Sequence, residues 1–542
     1  MTPWQRRAIG LAIAVVTAAC VLWNQRDVGI ARDEVVYMNA GARYAAWWLG
    51  FGAGGIDRTF GGAPGGDNNS EHPPLVKTLG GISHRLLFDK LGVLDELTAF
   101  RLPAALLHGA LAMLVFLMVI ELWGLAEAVI ACACLLVLPR ALFHAGLDCF
   151  DAPIMALWFA TVYAYWRGLD GRRWPWQVGV AWGLALATKH TAVLLPFALG
   201  VHYLVVAWCA GRWRGLVFHR WRVLVSLAVL GPLVLVALWP WLWLDPVGHI
   251  GAWLGFHLHH VHYNFEYLGR NWNAPPFPWH VALVTTLFTV PVATLAAAAL
   301  GGGVWLARWR RGESADRERA PVLLLVLSLG ASMGPFFLRS TPIFGAEKHW
   351  MPALPTICIA AGVGAGWAAR RAGEALRALV PRLGERLGQR LALGVVGGAI
   401  ALAGATETVT AEPYALTWYN ALAGGAPGGA DLGMNRQFWG VAARGVLPVI
   451  AAQPPGPVYS HDASPAWGWY QHLGLLPRGY PDSGHEVAGI ATSKLAIVIH
   501  EKHFNRHDYL IWKSYGTVQP IFVLRSDGVP IVSVYRRPSQ PP

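Results

Sequence analysis

Residues 178–208 read VGVAWGLALATKHTAVLLPFALGVHYLVVAW, an apolar run interrupted once, at Lys189-His190. A helix that crosses a bilayer needs about 20 mainly apolar residues. This run is therefore either one tilted helix or two short crossings. The flanking charges decide between them. Arg167, Arg172 and Arg173 precede the run, and Arg212, Arg214, Arg220 and Arg222 follow it. Arginine clusters stay on the cytoplasmic side of a membrane. Both ends thus belong on that side, and the run predicts a hairpin turning near Lys189-His190.

Working outward, comparable runs occupy 8–23, 102–121, 124–145, 148–166, 223–243, 279–306, 320–338, 350–368 and 390–409. Counting the hairpin as two gives eleven crossings with the N-terminus inside, and the basic stretches 308–319 and 370–390 also fall inside. Three segments are then left outside: 24–101, 244–278 and everything after about 410. With 55% hydrophobic and 14% charged residues, the chain is too apolar for an ordinary soluble enzyme of 542 residues. The formal net charge of +12 sits in short clusters between apolar runs, so it sets topology and does not form a nucleic-acid-binding stripe. The six cysteines lie in or beside apolar runs without zinc or disulfide spacing, and read as packing residues. Residues 1–23 resemble a signal peptide in their basic start and apolar stretch, but the many later spans favour an uncleaved first helix.

The expected fold class is an α-helical multi-span membrane protein. Residues 1–410 form its membrane domain, and 411–542 form a small α/β domain outside the bilayer. Short β-prone runs at 495–499 and 531–535 and turns such as Gly424-Gly425 and Asp527-Gly528 support the second unit. In the outer segment 24–101, Tyr37, Tyr44, Trp47 and Trp48 recur at near-helical spacing and suit an aromatic helix in the membrane interface. A glycine-rich stretch at 52–66 follows, then a second amphipathic segment with Leu75, Leu79, Ile82 and Leu86 on one face.

Within that segment, Asp33-Glu34 lies about ten residues past the first span, where an acidic pair does not assist insertion. A carboxylate there can act as a general base, or can be a solvated helix start favoured by the helix dipole. Glu71-His72-Pro73-Pro74-Leu75 with Lys77 forms a rigid turn whose His72 and Lys77 could meet a phosphate, although a Pro-Pro turn is equally an ordinary loop. Asp148 and Asp151 open the fourth span and suit capping or function alike. Tyr267 and Arg270 lie in the second outer segment, where Arg270 could bind phosphate or snorkel among aromatics. Glu347-Lys348-His349 sits in a short outer turn. His257, His259, His260 and His262 raise a divalent metal, yet no Cys or carboxylate joins them at a ligand spacing, so no metal ligand is assigned.

Taken together and in order, Ala31-Arg32-Asp33-Glu34, the Glu71-His72-Pro73-Pro74-Leu75 turn, Arg101-Leu102-Pro103, Asp151-Ala152-Pro153 and Ala187-Thr188-Lys189 resemble the dolichyl-phosphate-mannose protein mannosyltransferase and aminoarabinose transferase superfamily. The resemblance runs from about residue 31 to 352 and implies the GT-C fold. In the tail, Pro413-Tyr414, Tyr419-Asn420, Gly424-Gly425 and Phe438-Trp439-Gly440 resemble bacterial members. The implied activity is transfer of a sugar from a polyprenyl-phosphate donor to a protein, lipid or glycan hydroxyl at the outer face of a bacterial inner membrane. Asp33 then matches the catalytic position, with Glu34 in the same motif. His72, Lys77, Lys189, Arg270, Lys348 and His349 match donor-phosphate positions, and Glu71, Asp148, Asp151 and Tyr267 are further candidates. The family is usually richer in arginine around the positions of Lys348 and His349. A transporter of lipid-linked sugars is the competing class. Transporters concentrate polar groups near the bilayer midplane and carry inverted repeats, whereas these candidates gather at one face and no repeat is visible.

Overall fold

The computed structural model describes residues 1–62, 65–169, 171, 174–218, 220–312, 316–380 and 384–538. Ala63, Pro64, Arg172, Arg173 and Arg382, which belong to the glycine-rich stretch and the basic clusters, lie outside the described residues.

The chain is mostly helical. Among the described residues, seven helices are long and apolar enough to cross a membrane, or eight if the bent pair Leu125–Leu136 and Pro139–Ala145 counts as one span. The remaining expected crossings correspond to Asp151–Gly168, Trp176–Leu186 and Arg222–Leu238, which are shorter or less apolar. The predicted break in residues 178–208 is present. Helix Trp176–Leu186 ends, Lys189 is extended at φ −151° and ψ 139°, and a 3-10 turn His190–Leu194 leads into the next helix.

Helices pack closely where glycine permits it. A Cβ on Gly301 would sit 1.9 Å from the Ala360 carbonyl, and one on Gly364 2.0 Å from that of Ala297, so helices Val292–Arg311 and Leu354–Leu379 meet backbone to backbone. The same device builds the region of the acidic pair. Gly41, on helix Arg32–Leu49, has the Lys77 carbonyl 2.3 Å from its Cβ position, and Gly81, on helix Leu75–Ser83, has the Gly41 carbonyl 2.0 Å away. A side chain at either position would push apart the two elements that carry the first and second motifs.

The aromatic helix expected after Asp33-Glu34 is Arg32–Leu49. Tyr37, Tyr44 and Trp47 are buried against protein, and Trp48 is half-buried. Tyr44 stacks on Phe60 with ring centroids 4.4 Å apart, and Trp47 meets Phe60 edge-on at 5.2 Å. Burial of such large rings contributes strongly to the packing of this helix.

Towards the C-terminus a four-stranded sheet forms from Val458–Tyr459, Leu495–Ile499, Phe522–Ser526 and Val529–Arg536. The strand Val529–Arg536 pairs antiparallel with both Leu495–Ile499 and Phe522–Ser526. This unit packs directly onto the 24–101 segment. Ile30, Val35, Met38, Leu97 and Phe100 share one buried cluster with Trp467, Tyr470, Ile497 and Val534. The Ile30 amide donates to the Tyr470 hydroxyl at 2.9 Å, and the Arg32 amide donates to the Trp439 carbonyl at 3.0 Å.

Candidate active site

Glu34 is wholly buried and explains the start of its helix. Its Oε2 accepts from the Ala31 amide at 2.9 Å, and its Oε1 accepts from the Asp148 amide at 2.8 Å. Arg101 grips both oxygens, Nε to Oε1 and Nη2 to Oε2, each at 2.8 Å. Nη2 of Arg101 also donates to the Gly29 carbonyl at 2.8 Å. A planar guanidinium suits such bidentate work. With both oxygens engaged, Glu34 does not suit the catalytic role expected of it beside Asp33. It is a positioning residue that locks the first loop, the second span and the turn at Asp148 together.

That lock leaves Asp33 turned the other way. Its side chain is 29% exposed, and Oδ2 lies 3.9 Å from Lys348 Nζ. The Lys348 ammonium rests 4.3 Å over the Trp439 ring and 5.4 Å from that of Phe344. The backbone of Trp439 is left-handed at φ 71°, and Gly440 follows at φ 71°, so the Phe438-Trp439-Gly440 signature is a strained turn that brings the ring to the lysine.

Lys189 Nζ donates to Asp151 Oδ1 at 2.6 Å and reaches the Lys348 carbonyl at 3.4 Å. Asp151 and Lys189 thus form a buried pair beneath Lys348, in which Asp151 holds the lysine in place. His349 Nε2 donates to the Phe344 carbonyl and so fixes the same turn; as a carbonyl accepts only, Nε2 carries the proton. Burial beside Lys189 and Lys348 holds the His349 ring well below the usual imidazole range, hence neutral. Glu347 points away and pairs with Arg140 at 2.9 Å.

Lys77, expected to hold phosphate, is 1% exposed and engages its own loop. Nζ donates to Asn69 O at 2.8 Å, to Asn69 Oδ1 at 2.9 Å and to His72 O at 2.9 Å. Three donors with three acceptors make it the clasp of the Glu71-His72-Pro73-Pro74 turn. Burial pulls its ammonium down to about 7, against the pull of Glu71 and Asp148. Glu71 Oε1 accepts from Asn69 Nδ2 at 2.9 Å, and its Oε2 is buried without a hydrogen-bond partner. Asp148 likewise has an unpartnered buried Oδ2.

The His72 ring lies 4.9 Å from that of Phe150 and 5.4 Å from that of His257, which in turn stacks on His190 at 3.7 Å. His257 Nε2 bonds the Glu71 carbonyl at 3.0 Å. Among the described residues, no group of three or more His, Cys, Asp and Glu side chains is arranged to hold a metal ion. Tyr267 and Arg270 stand apart on the hairpin Phe265–Tyr267 and Arg270–Trp272. The Tyr267 hydroxyl bonds His280 Nδ1 at 2.6 Å, and Arg270 lies 4.8 Å over Trp272. Together with Trp279 and Arg339 they line a separate cleft.

The structure therefore brings Asp33, Lys348, Lys189, Asp151 and His349 into one group, with His72 beside it. Sequence reasoning missed Trp439 and Phe150 as ring walls, and Arg101 as the partner of Glu34. The signal for Arg101 was present, since a charge opening a span demands a buried partner.

The chain is thus a helical, multi-pass protein with carboxylates and cations gathered between its connecting segments. Residues 71–241 match the family model described as dolichyl-phosphate-mannose-protein mannosyltransferase. The fold is similar to that of ArnT from Cupriavidus metallidurans, crystallised with undecaprenyl phosphate, at 15% identity over 97% of each chain and a TM-score of 0.50. It also resembles the oligosaccharyltransferase AglB from Archaeoglobus fulgidus, solved with an inhibitory peptide and a dolichol-phosphate, at 11% identity over 95% of this chain and 72% of that one, TM-score 0.50. No curated protein matches the chain. The chain therefore has the GT-C fold, and over residues 71–241 it is similar to the protein-mannosyltransferase family.

Proposed function

We infer that the chain is a glycosyltransferase that moves a sugar from a polyprenyl-phosphate donor to an acceptor hydroxyl at the outer face of a bacterial inner membrane, with Asp33 as general base. The observation that carries the reading is Asp33 itself. It is the partly exposed carboxylate of the motif pair, facing Lys348 at 3.9 Å while Glu34 is locked by Arg101. Asp33 takes the proton of the acceptor hydroxyl as that oxygen bonds to the anomeric carbon. The bond from that carbon to the phosphate oxygen breaks, and polyprenyl phosphate leaves with the electron pair. Lys348 stabilises the charge that develops on the departing phosphate, and Lys189, held by Asp151, adds positive potential behind it. The undecaprenyl phosphate of ArnT and the dolichol-phosphate of AglB support the donor class. The arginine clusters between apolar runs support the orientation.

The test is direct. Purified protein in nanodiscs, given envelope extract and a polyprenyl-phosphate sugar labelled in the sugar, transfers the label to an acceptor and leaves free polyprenyl phosphate. Label that stays on the lipid under every acceptor fraction contradicts the proposal.

A further inference from the structure

The cleft beside the hairpin Phe265–Tyr267 and Arg270–Trp272 has a volume of about 300 Å³. Arg270 and Arg339 line it, among the rings of Tyr267, Trp272, Trp279 and His280. The hydrogen bond from Tyr267 to His280 and the packing of Arg270 over Trp272 hold these walls in place. Among the described residues, no Asp or Glu lines the cleft, and neither guanidinium is paired with a carboxylate. Two cations that share a cleft without a counter-charge attract an anion. Asp33, Lys189 and Lys348 do not line this cleft, so the sugar-transfer reading leaves it without a task.

The cleft stands where two apolar helices end. Arg339 follows closely on the apolar span Glu318–Phe337, and Trp279 comes just before helix Val281–Thr289. The Phe277 amide donates to the Arg339 carbonyl at 2.7 Å, and the rings of Trp279 and Phe337 lie 6.4 Å apart, so the two ends are joined. From the cleft a bare apolar stripe runs along the helix: Trp279, Leu283 and Leu287 recur at one-turn spacing and are 56%, 45% and 43% exposed. Phe337 and Leu338 are exposed beside Arg339. Such a stripe at the end of a span belongs against hydrocarbon, and a tryptophan at its head marks the boundary with water. Arginines just beyond that boundary are level with lipid phosphates. Cations and stripe thus follow one another in the order in which a phospholipid carries its phosphate and its chains. A cleft of about 300 Å³ is small for a ligand pocket, so it takes a headgroup and leaves the chains on the stripe.

We propose that this cleft binds the phosphate headgroup of a membrane phospholipid, with the acyl chains lying along Trp279, Leu283 and Leu287. Arg270 and Arg339 take the phosphate oxygens, for which the planar guanidinium is suited. The bound lipid ties the hairpin to the ends of both helices at the bilayer surface. This site is separate from that of the sugar donor and stands without the sugar-transfer reading.

Phosphatidic acid and diacylglycerol with the same chains test the site, because they differ only in the phosphate. Binding of each to the full chain in detergent micelles is titrated by native mass spectrometry, alongside binding of undecaprenyl phosphate. Phosphatidic acid is expected to bind at least about tenfold more tightly than diacylglycerol, the increment of a charge-assisted hydrogen bond. In Arg339→Gln, at an exposed position, that preference shrinks to within about threefold, while undecaprenyl phosphate binding and the thermal midpoint stay as they were. Glycerol 3-phosphate, which has the headgroup without the chains, is expected to bind over about 100-fold more weakly than phosphatidic acid. Equal affinity of the two lipids for the unaltered protein overturns the proposal, and that comparison needs no variant. An unchanged preference in Arg339→Gln also overturns it. So does a parallel loss of undecaprenyl phosphate at an unchanged midpoint, which gives the cleft to the donor. Glycerol 3-phosphate that binds as tightly as phosphatidic acid makes the occupant a soluble phosphate and overturns the membrane source.

Discussion

Lys348 Nζ lies 3.9 Å from Asp33 Oδ2 and 4.3 Å above the Trp439 ring. The distance to Asp33 is too long for a hydrogen bond and short enough for each charge to feel the other. A phosphate entering here would take over the lysine and free the carboxylate to accept a proton. Lys348→Met is therefore expected to weaken binding of undecaprenyl phosphate by about 10- to 100-fold, the range for losing a charge-assisted contact. Titration of nanodisc-embedded protein with the lipid phosphate reads this directly, and an unchanged affinity assigns phosphate binding to other residues.

The Glu34–Arg101 pair makes a different prediction. Removing one partner leaves the other charge buried and alone, which costs about 3–5 kcal/mol. Arg101→Met should lower the thermal midpoint sharply, whereas Asp33→Asn, at a partly exposed site, should leave it nearly in place. A similar midpoint for both variants contradicts the division of labour between the two acidic residues.

Lys77 closes the turn at 69–72 with three hydrogen bonds. Lys77→Met strands buried carbonyls at a cost of about 1–3 kcal/mol. The expected result is faster amide exchange at 69–74 with little change in the exchange of the long helices. Uniform exchange across the chain would mean that the lysine does not hold the turn.

Two histidines set a pH window. Burial holds His72 well below the usual imidazole range, and holds His257 down to about 4. Their folded values lie below the unfolded one of about 6.5, so the unfolded chain binds more protons on acidification. The stability they contribute is present above about pH 6.5 and is lost as pH falls towards about 4. Thermal midpoints measured from pH 7.5 to pH 5 should fall, and His257→Asn should flatten that slope. A midpoint that rises on acidification reverses the assignment.

Much of this arrangement was legible in the chain itself. Apolar runs and arginine flanks indicate the membrane helices and the break at Lys189, because both reflect transfer energies that act locally. Asp33, Lys189 and Lys348 stand out as charges where the bilayer gives them no reason to be. Direction was not legible. Lys77 carries the same charge as Lys348, but it turns inward to three acceptors of its own loop, and only the fold shows which carbonyls come within its reach. Glu34 and Asp33 are neighbours whose roles separate because a helix points them about 100° apart. Pairings such as Arg32 with Asp462 join residues far apart in sequence, and no local spacing encodes them.

The measurement closest to the central claim is sugar transfer by Asp33→Asn, read beside its binding of undecaprenyl phosphate. Loss of a general base costs about 10²–10⁴-fold in rate. The account predicts a fall of that size with lipid-phosphate affinity within a few-fold of the unaltered protein and an unchanged thermal midpoint. Transfer by Asp33→Asn at the unaltered rate would contradict it.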